Sequence, residues 1–284
     1  MFVVLRMIKP KKRILKRLRQ KKLLSEAEVI TCPTENGLPF FLLNVLENKN
    51  GADWDLVAQK CGRYASRIVA SRSFSLPDHG KLKRFVPVSM PATLIFNTAA
   101  EIIKKADLPP EGISITLTDR NATHVSRLCE LLPFAACIRV ITTHPERYAS
   151  ACQKAFDEFG ASIIIRSTYE PTAKPDIVIC CDGIISAMMN AAAVFTSKQK
   201  SCGKLRFYGK GIELSEVHKE LLPPDIDPID FAGALTELCG SSEYKNAVFA
   251  DVETDCTLCN KKNLEKCLKC YCSGSTVSKP VTNL

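Results

Sequence analysis

The feature that most constrains the fold is an alternation of short apolar runs with helix-length amphipathic segments between residues 111 and 183. The runs are rich in isoleucine and valine, which is typical of strands. Strands that alternate with helices favour a parallel sheet, because a connection between parallel strands has to cross a face of the sheet. The predicted strands are residues 113–119, 138–142, 161–165 and 176–180, and the predicted helices are residues 122–132 and 145–159. The sequence therefore predicts an α/β fold, a parallel sheet with helices on both faces.

The flanking residues predict smaller elements. Before the central stretch we expect a helical or α+β portion, in which Asp53 caps a helix with a buried stripe that extends to Ile68. Further helices are predicted at residues 42–47, 99–106, 186–195, 215–222 and 231–239, and further strands at residues 94–96 and 205–208. The predicted domains are residues 1–25 (basic segment), 26–108 (N-terminal α-rich portion), 109–245 (α/β domain) and 246–284 (cysteine-rich tail).

Positive charge is concentrated in one segment. The chain has a formal net charge of +9, from 39 basic and 30 acidic residues. Ten of the basic residues and none of the acidic ones lie in residues 1–25, so the remainder is almost neutral. A basic amphipathic helix there would contact an anionic membrane surface or nucleic acid through residues 6–22, and the alternative is a solvated tail. The near-neutral remainder argues against broad nucleic-acid binding.

Hydrophobicity and cysteine usage bear on the compartment. Hydrophobic residues make up 46% of the chain, and no apolar run approaches the roughly 20 residues that span a bilayer. Nine of the 14 cysteines are scattered, mostly through apolar segments, as expected for small buried side chains in a reducing compartment. We expect a cytoplasmic protein, with a peripheral position at a membrane as the alternative.

Candidate ligand-binding residues follow the predicted strands. Open parallel sheets bind ligands at the carboxyl ends of their strands, where loops meet helix N-termini. These ends carry Asp119 and Arg120 after the first strand, Thr142, Thr143 and His144 after the second, and Asp182 after the fourth. The two aspartates could share a metal ion, but the capping of helices or loops is the favoured role. Cys180 and Cys181 are interpreted as a buried pair rather than as a nucleophile, because no histidine lies near them in the sequence.

Residues 138–148, 159–162 and 175–179 resemble parts of Rossmann-type domains, particularly the NAD(P)-binding domains of shikimate dehydrogenase and glutamyl-tRNA reductase. The resemblance implies a Rossmann-like fold in which the end of the second strand contacts the adenosine ribose. An acidic residue at this place favours NAD, whereas small polar and basic residues favour NADP. Thr142, Thr143 and Arg147 stand there, so the resemblance implies NADP.

The loop after the first strand departs from that family. A dinucleotide-binding domain needs glycines in this loop, so that the backbone can approach the pyrophosphate. Residues 118–123 read Thr-Asp-Arg-Asn-Ala-Thr and contain no glycine. Either the fold has lost the cofactor, or the loop binds a smaller ligand through Asp119, Arg120 and the amides of residues 121–123.

The tail carries a separate signal. Cys256, Cys259, Cys267 and Cys270 form two Cys-x-x-Cys pairs, and Cys272 follows them. Four thiolates in this arrangement predict a tetrahedral zinc site. An iron–sulfur cluster is the second interpretation, because the fifth cysteine offers another ligand, and uncoordinated thiols are the third.

These observations favour a ligand-binding or regulatory protein with a degenerate nucleotide-binding fold, which binds an unknown small molecule at the strand ends. One alternative is an NADP-dependent oxidoreductase. Another is a zinc-containing interaction protein that contacts a membrane surface or nucleic acid through its basic N-terminus. The sequence has no Walker loop, Gly-x-Ser-x-Gly or His-Glu-x-x-His motif, so it assigns no reaction.

Overall fold

The computed structural model describes residues 1–8, 27–34, 37–46, 52–77, 80–168, 176–182, 191–197, 205–256 and 263–272. Most of the predicted basic segment, and one of the four predicted zinc ligands, Cys259, lie outside these ranges. The chain forms two compact units. The first unit comprises Met1–Met90 and Glu213–Lys245, and the second comprises Pro91–Ile212 and Asn246–Leu284.

The first unit is built on a four-stranded sheet in the order β2-β3-β1-β4. Its strands are β1 (Val3–Ile8), β2 (Ala27–Cys32), β3 (Phe40–Leu46) and β4 (Ile68–Ala70). β1 is parallel to β3 and β4, whereas β2 is antiparallel to β3. The helix predicted at residues 42–47 is wrong where the structure describes it. β3 is apolar on both faces, and such a run lacks the periodicity that separates a strand from a helix.

Helix α1 (Trp54–Cys61) packs on one face of this sheet. Asp53 caps the helix as predicted, because its Oδ1 accepts a hydrogen bond from the Leu56 amide at 3.0 Å. The helix ends earlier than predicted, since Gly62 has a positive φ of 51° and a short 3-10 turn follows it. Ile68 is buried as predicted, but it opens β4 instead of closing the helix.

The later part of the first unit adds two helices to the sheet. They are α4 (Glu216–Leu221) and α5 (Pro228–Cys239). The Phe231 ring of α5 lies 6.1 Å from Phe2 and 5.3 Å from Phe40, measured between ring centroids. Side chains alternate along a strand, so Phe40 and its neighbour Phe41 point to opposite faces. Phe41 packs against the cluster that contains Val57 and Cys61 of α1, so α1 and α5 cover opposite faces of the sheet.

The second unit is built on a seven-stranded sheet in the order β11-β10-β9-β8-β5-β6-β7. Its strands are β5 (Ser114–Thr118), β6 (Cys137–Ile141), β7 (Ile163–Arg166), β8 (Ile177–Cys180), β9 (Ala193–Thr196), β10 (Leu205–Ile212) and β11 (Phe249–Thr254). Neighbouring strands are parallel except for β10 and β11. β6 and β7 extend the sheet on one side of β5, and β8 begins the other side, so the strand order reverses between β5 and β8. This reversal is the point at which open α/β sheets bind ligands.

Helices flank this sheet, which confirms the predicted α/β, Rossmann-like fold. They are α2 (Ser89–Ala106), α3 (Ala149–Phe159) and α6 (Leu264–Cys272), with a ten-residue 3-10 helix at Val125–Phe134. Within the ranges given above, no helix is long and apolar enough to cross a membrane.

Three predicted elements of the second unit differ from the structure. The strand predicted at residues 94–96 is an apolar stretch inside α2. The helix predicted at residues 186–195 is wrong in its described part, because β9 begins at Ala193 and is buried along its whole length. The α-helix predicted at residues 122–132 is the 3-10 helix, which contains Pro133. A proline lacks the amide hydrogen that continues a regular α-helix.

Candidate functional site at the strand ends

The carboxyl ends of β5, β6 and β8 meet at the reversal of the strand order. The Cys181 amide donates a hydrogen bond to the Thr118 carbonyl at 3.1 Å, and the Asp119 amide donates to the Ile141 carbonyl at 3.0 Å. The Thr118 hydroxyl donates to Asp182 Oδ1 at 3.0 Å. The structure therefore places the two predicted aspartates at the ends of neighbouring strands.

Asp119 is the centre of this site. Its side chain is 2% exposed. One carboxylate oxygen, Oδ1, accepts a hydrogen bond from the Thr123 amide at 2.9 Å. The other, Oδ2, accepts from the His124 amide at 2.7 Å and from the Tyr148 hydroxyl at 2.6 Å. Asp119 thus caps the loop that leads from β5 to the 3-10 helix, and the capping of a helix or a loop is the favoured predicted role.

These donors control the ionisation of the site. Burial raises the pKa of the Asp119 carboxyl, but the nearby His124 side chain and the hydrogen bonds from the Tyr148 hydroxyl and the two amides outweigh it and lower the pKa to about 2. Burial, together with the bond to Asp119, raises the pKa of Tyr148 above its ordinary value of 10.0. Near neutral pH, the site therefore contains a carboxylate and a protonated phenol.

His124 lies beside this carboxylate. Its side chain is 1% exposed, and its Nδ1 lies 3.4 Å from Asp119 Oδ2, which is long for a hydrogen bond. Among the described residues, neither ring nitrogen has a hydrogen-bond partner. The imidazole stacks on Phe96 with ring centroids 4.8 Å apart, and the Arg127 guanidinium lies 4.7 Å from the same Phe96 ring. Packing, rather than a polar ligand, therefore holds the histidine.

The loop between Asp119 and His124 turns without a glycine. Ala122 has a φ of 53°, in the left-handed region, and its amide donates to the Asp119 carbonyl at 3.1 Å. A residue with a Cβ atom adopts this conformation at a cost of about 1–2 kcal/mol. The loop therefore makes a turn that usually favours glycine, and it does so with an alanine.

The two threonines after β6 fasten this loop from the neighbouring strand. The Thr143 hydroxyl donates to the Arg120 carbonyl at 2.7 Å, and the Thr142 hydroxyl donates to the same carbonyl at 3.4 Å. Thr142 Oγ1 also accepts a hydrogen bond from the His144 amide at 3.1 Å. Both hydroxyls are thus engaged in backbone contacts.

Three predicted residues keep their side chains near solvent. Arg120 is exposed, and the exposed Arg147 donates to the Asn121 carbonyl at 3.4 Å. The His144 side chain is 40% exposed, and its Nδ1 lies 3.4 Å from Glu146 Oε1. These side chains give the rim of the strand-end site a partly cationic character.

The cysteine pair at the end of β8 is buried, as predicted. Cys180 is fully buried and Cys181 is 6% exposed. The Cys180 thiol donates to Asp182 Oδ1 at 3.5 Å. Burial raises the pKa of the Cys181 thiol well above its ordinary value of 9.0, and the Asp119 charge adds to this effect. Because the thiolate is the reactive form, Cys181 is poorly suited to act as a nucleophile.

The loop does not suit the pyrophosphate of a dinucleotide. In a Rossmann domain, the pyrophosphate binds the amides at the start of the helix that follows the first strand. Here the Thr123 and His124 amides already donate to the Asp119 carboxylate. A phosphate would have to displace this buried anion or approach it against charge repulsion. The residues present therefore do not fit the cofactor implied by the resemblance.

The cysteine-rich tail is described in part. Cys256, Cys267 and Cys270 are described, and the last two lie on α6. Cys267 is disulfide-bonded, and a disulfide sulfur has no thiolate to donate to a metal. Within the described part of the chain, no group of three or more His, Cys, Asp or Glu side chains is placed to hold a metal ion. The zinc site remains a prediction.

Sequence reasoning missed two members of the site. Tyr148 contacts Asp119 from the 3-10 turn that follows β6, and His124 contacts it from the loop that follows β5. No local pattern marks Tyr148, since it reaches Asp119 only through the pairing of β5 with β6. His124 had a signal, because a histidine five residues after a strand-end aspartate can fold back on it.

Comparisons with known proteins add little to this description. No protein-family model and no curated protein matches the sequence. The chain is similar to the crystal structure of L-tryptophan dehydrogenase from Nostoc punctiforme, with 12% sequence identity and a TM-score of 0.31. That similarity covers 82% of this chain and 68% of the other. A structural similarity at this level supports no conclusion about function. The fold is assigned from the strand order of the seven-stranded sheet.

Proposed function

We propose that this protein is a ligand-binding or regulatory protein that has kept a Rossmann-like sheet and lost the dinucleotide. One observation carries the proposal: the Asp119 carboxylate accepts hydrogen bonds from the Thr123 and His124 amides. The chain thereby supplies its own anion where a phosphate would bind. Displacing the carboxylate from these amides would leave a buried charge without hydrogen-bond partners, which typically costs about 3–5 kcal/mol.

The proposed ligand is a small anion at the rim of the strand ends. Arg120 and Arg147 are exposed there, and His144 is close to them in the chain. Neither arginine forms an ion pair with a described acidic side chain. Arg147 donates one N–H to the Asn121 carbonyl, and the remaining N–H groups of both arginines can bind a carboxylate or phosphate, which arginine binds in a planar, two-point geometry.

Calorimetric titration with NADPH and NADH tests the loss of the dinucleotide. We expect no saturable binding at cofactor concentrations up to about 1 mM, which corresponds to a binding free energy weaker than about −4 kcal/mol. Micromolar binding of NADPH that is weakened in Arg147→Gln would contradict the proposal and support the NADP-dependent oxidoreductase instead.

Thermal shift with inorganic phosphate and malonate tests the small anion, because a ligand of the native state raises the unfolding midpoint. We expect the rise to be reduced in Arg120→Gln and in Arg147→Gln. The matched control is Arg67→Gln, which removes an exposed arginine of the first unit. An equal rise in all three variants would exclude the rim as the binding place.

A zinc site in the tail is a second candidate, and one contact favours it. A hydrogen bond with Cys256 contributes most to the raised pKa of Tyr271 on α6, so Cys256 lies against the helix that carries Cys267 and Cys270. Reduction of the Cys267 disulfide would restore its thiol. Metal analysis of protein purified under reducing conditions should find one zinc per chain, and a content near zero would exclude the site.

The basic segment remains a proposed contact for an anionic membrane surface or nucleic acid. Deletion of residues 1–25 would not test it cleanly, because β1 lies inside the first sheet, between β3 and β4. Replacement of the basic residues within residues 9–22 by glutamine leaves β1 intact. We expect such a variant to lose affinity for anionic vesicles or DNA, and unchanged affinity for both would remove this proposal.

A further inference from the structure

The first unit contains a cavity of about 220 Å³ between its sheet and the end of α1. Apolar side chains from three strands form its floor. They are Val3 of β1, Val29 of β2, and Phe41 and Leu43 of β3. The volume is smaller than the roughly 300–1,000 Å³ of typical ligand sites. It suits a small molecule with an apolar body.

The mouth of the cavity has a different character. Lys60, in the last turn of α1, and Arg63, just beyond it, both line the cavity and are exposed. The Arg63 guanidinium lies 4.9 Å from the centroid of the Tyr64 ring, which also lines the cavity. This stacking holds the positive charge near the opening.

Among the residues that the structure describes, no acidic side chain lines the cavity. In the part of the chain that the structure describes, neither Lys60 nor Arg63 forms an ion pair with an acidic side chain. Cations in a last helical turn often only complement the helix dipole. That role alone does not require an apolar cavity beside them, whereas a ligand with an apolar body and an anionic head would use both features.

We infer that this cavity binds a small monocarboxylate with an alkyl or aryl body. The body would replace water over Val29, Phe41 and Leu43, and the carboxylate would accept charge-assisted hydrogen bonds from Arg63 and Lys60. A cationic ligand would meet two like charges at the mouth, and a neutral one would leave both cations unused. The inference is independent of the function proposed for the strand ends, since all the lining residues belong to the first unit.

Isothermal titration calorimetry with octanoate tests the inference directly. We expect saturable binding of one octanoate per chain. 1-Octanol and octylamine, which share the alkyl chain, should bind at least about fivefold more weakly, because they lack the negative head. Equal affinity for octanoate and 1-octanol would overturn the role of the cations. The absence of saturable octanoate binding would overturn the site.

Three variants locate the binding. Arg63→Gln should weaken octanoate binding about three- to tenfold and leave 1-octanol unaffected. Arg67→Gln is the matched control, because Arg67 is an exposed arginine four residues further along and does not line the cavity. Val29→Trp should fill the cavity and abolish binding without a large loss of stability, since Val29 is 44% exposed.

Octanoate bound equally by all three variants would place it elsewhere and refute the inference. Circular dichroism and the unfolding midpoint of each variant establish that the first unit is folded. The assay also separates this site from the strand ends, because Arg147→Gln, which changes an exposed residue at the rim of the strand ends, should leave octanoate binding unchanged.

Discussion

Replacement of Asp119 by alanine should destabilise the protein strongly. The change removes the acceptor of three hydrogen bonds, from the Thr123 amide, the His124 amide and the Tyr148 hydroxyl. Thr123 is exposed, so water can reach its amide, but the other two bonds are buried. Each buried donor left without an acceptor costs about 1–3 kcal/mol. We expect a loss of about 2–6 kcal/mol in the free energy of unfolding, a large part of the stability of most domains.

The pH dependence gives a second measure of the same carboxylate. The pKa of Asp119 is about 2 in the folded protein, against an ordinary value of 3.8. Because folding lowers this pKa, the contribution is fully present above pH 4 and is lost as the pH falls toward 2. At 1.36 kcal/mol per pKa unit, it amounts to about 2.5 kcal/mol, near the lower end of the range expected for the alanine variant.

Urea unfolding of the wild type and the Asp119→Ala variant, at pH 7 and at pH 2.5–3, measures both quantities. The difference between the two proteins should be largest at pH 7 and should shrink as the pH falls. Tyr148→Phe is the matched control, because it removes one donor, keeps the carboxylate and should cost about 1–3 kcal/mol. A loss below about 1 kcal/mol in Asp119→Ala, or a difference that does not change with pH, would refute the account of this site.

Three further predictions follow from contacts described above or from the same structure. The Asp119→Gly variant removes the carboxylate that the Thr123 and His124 amides bind. Inorganic phosphate should therefore raise the unfolding temperature of this variant more than that of the wild type. An equal rise in both proteins would mean that the two amides do not bind anions. Cys181 should react with iodoacetamide only as fast as the protein opens, because burial raises its pKa, and rapid labelling of the native protein, detected by mass spectrometry, would contradict this. Tyr244→Phe removes the hydroxyl that lies 2.7 Å from Nδ1 of the buried His218, so urea unfolding should show a loss of about 1–2 kcal/mol, and no loss would show that the His218 ring is satisfied without it.

The sequence predicted the second unit better than the first. β5, β6, β7 and β8 are compact apolar runs separated by turns, so the chain shows where each one begins and ends. In the first unit, β3 is apolar on both faces and α1 is followed closely by β4. Hydrophobic periodicity alone cannot separate such elements. The predicted buried stripe of α1 was therefore extended to Ile68, which belongs to β4.

The candidate site was predictable only where it depends on strand ends. Asp119 follows from its position after β5, and its role as the cap of the following loop follows from the ability of a carboxylate to accept hydrogen bonds from nearby backbone amides. The contact with Tyr148 does not follow, because it needs the register of β5 against β6, in which Thr118 pairs with Ile141. The cavity beside Arg63 was equally hard to predict, since its floor combines side chains of three separate strands whose pairing the sequence does not show.

The discontinuous make-up of the first unit has a consequence for synthesis on the ribosome. Phe2 and Phe40 complete their packing with Phe231, which is translated only after most of the second unit has emerged. The second unit is interrupted only by residues 213–245. It can therefore begin to fold while one face of the sheet in the first unit is still exposed. Such an exposed apolar face is a typical target for chaperones and a site of aggregation. Contacts of long sequence separation also slow folding. A circular permutant that begins near residue 213 and joins residue 284 to residue 1 would place Phe231 ahead of Phe2 and Phe40 and shorten the chain between them. The first unit of this permutant should therefore refold faster than the first unit of the natural chain.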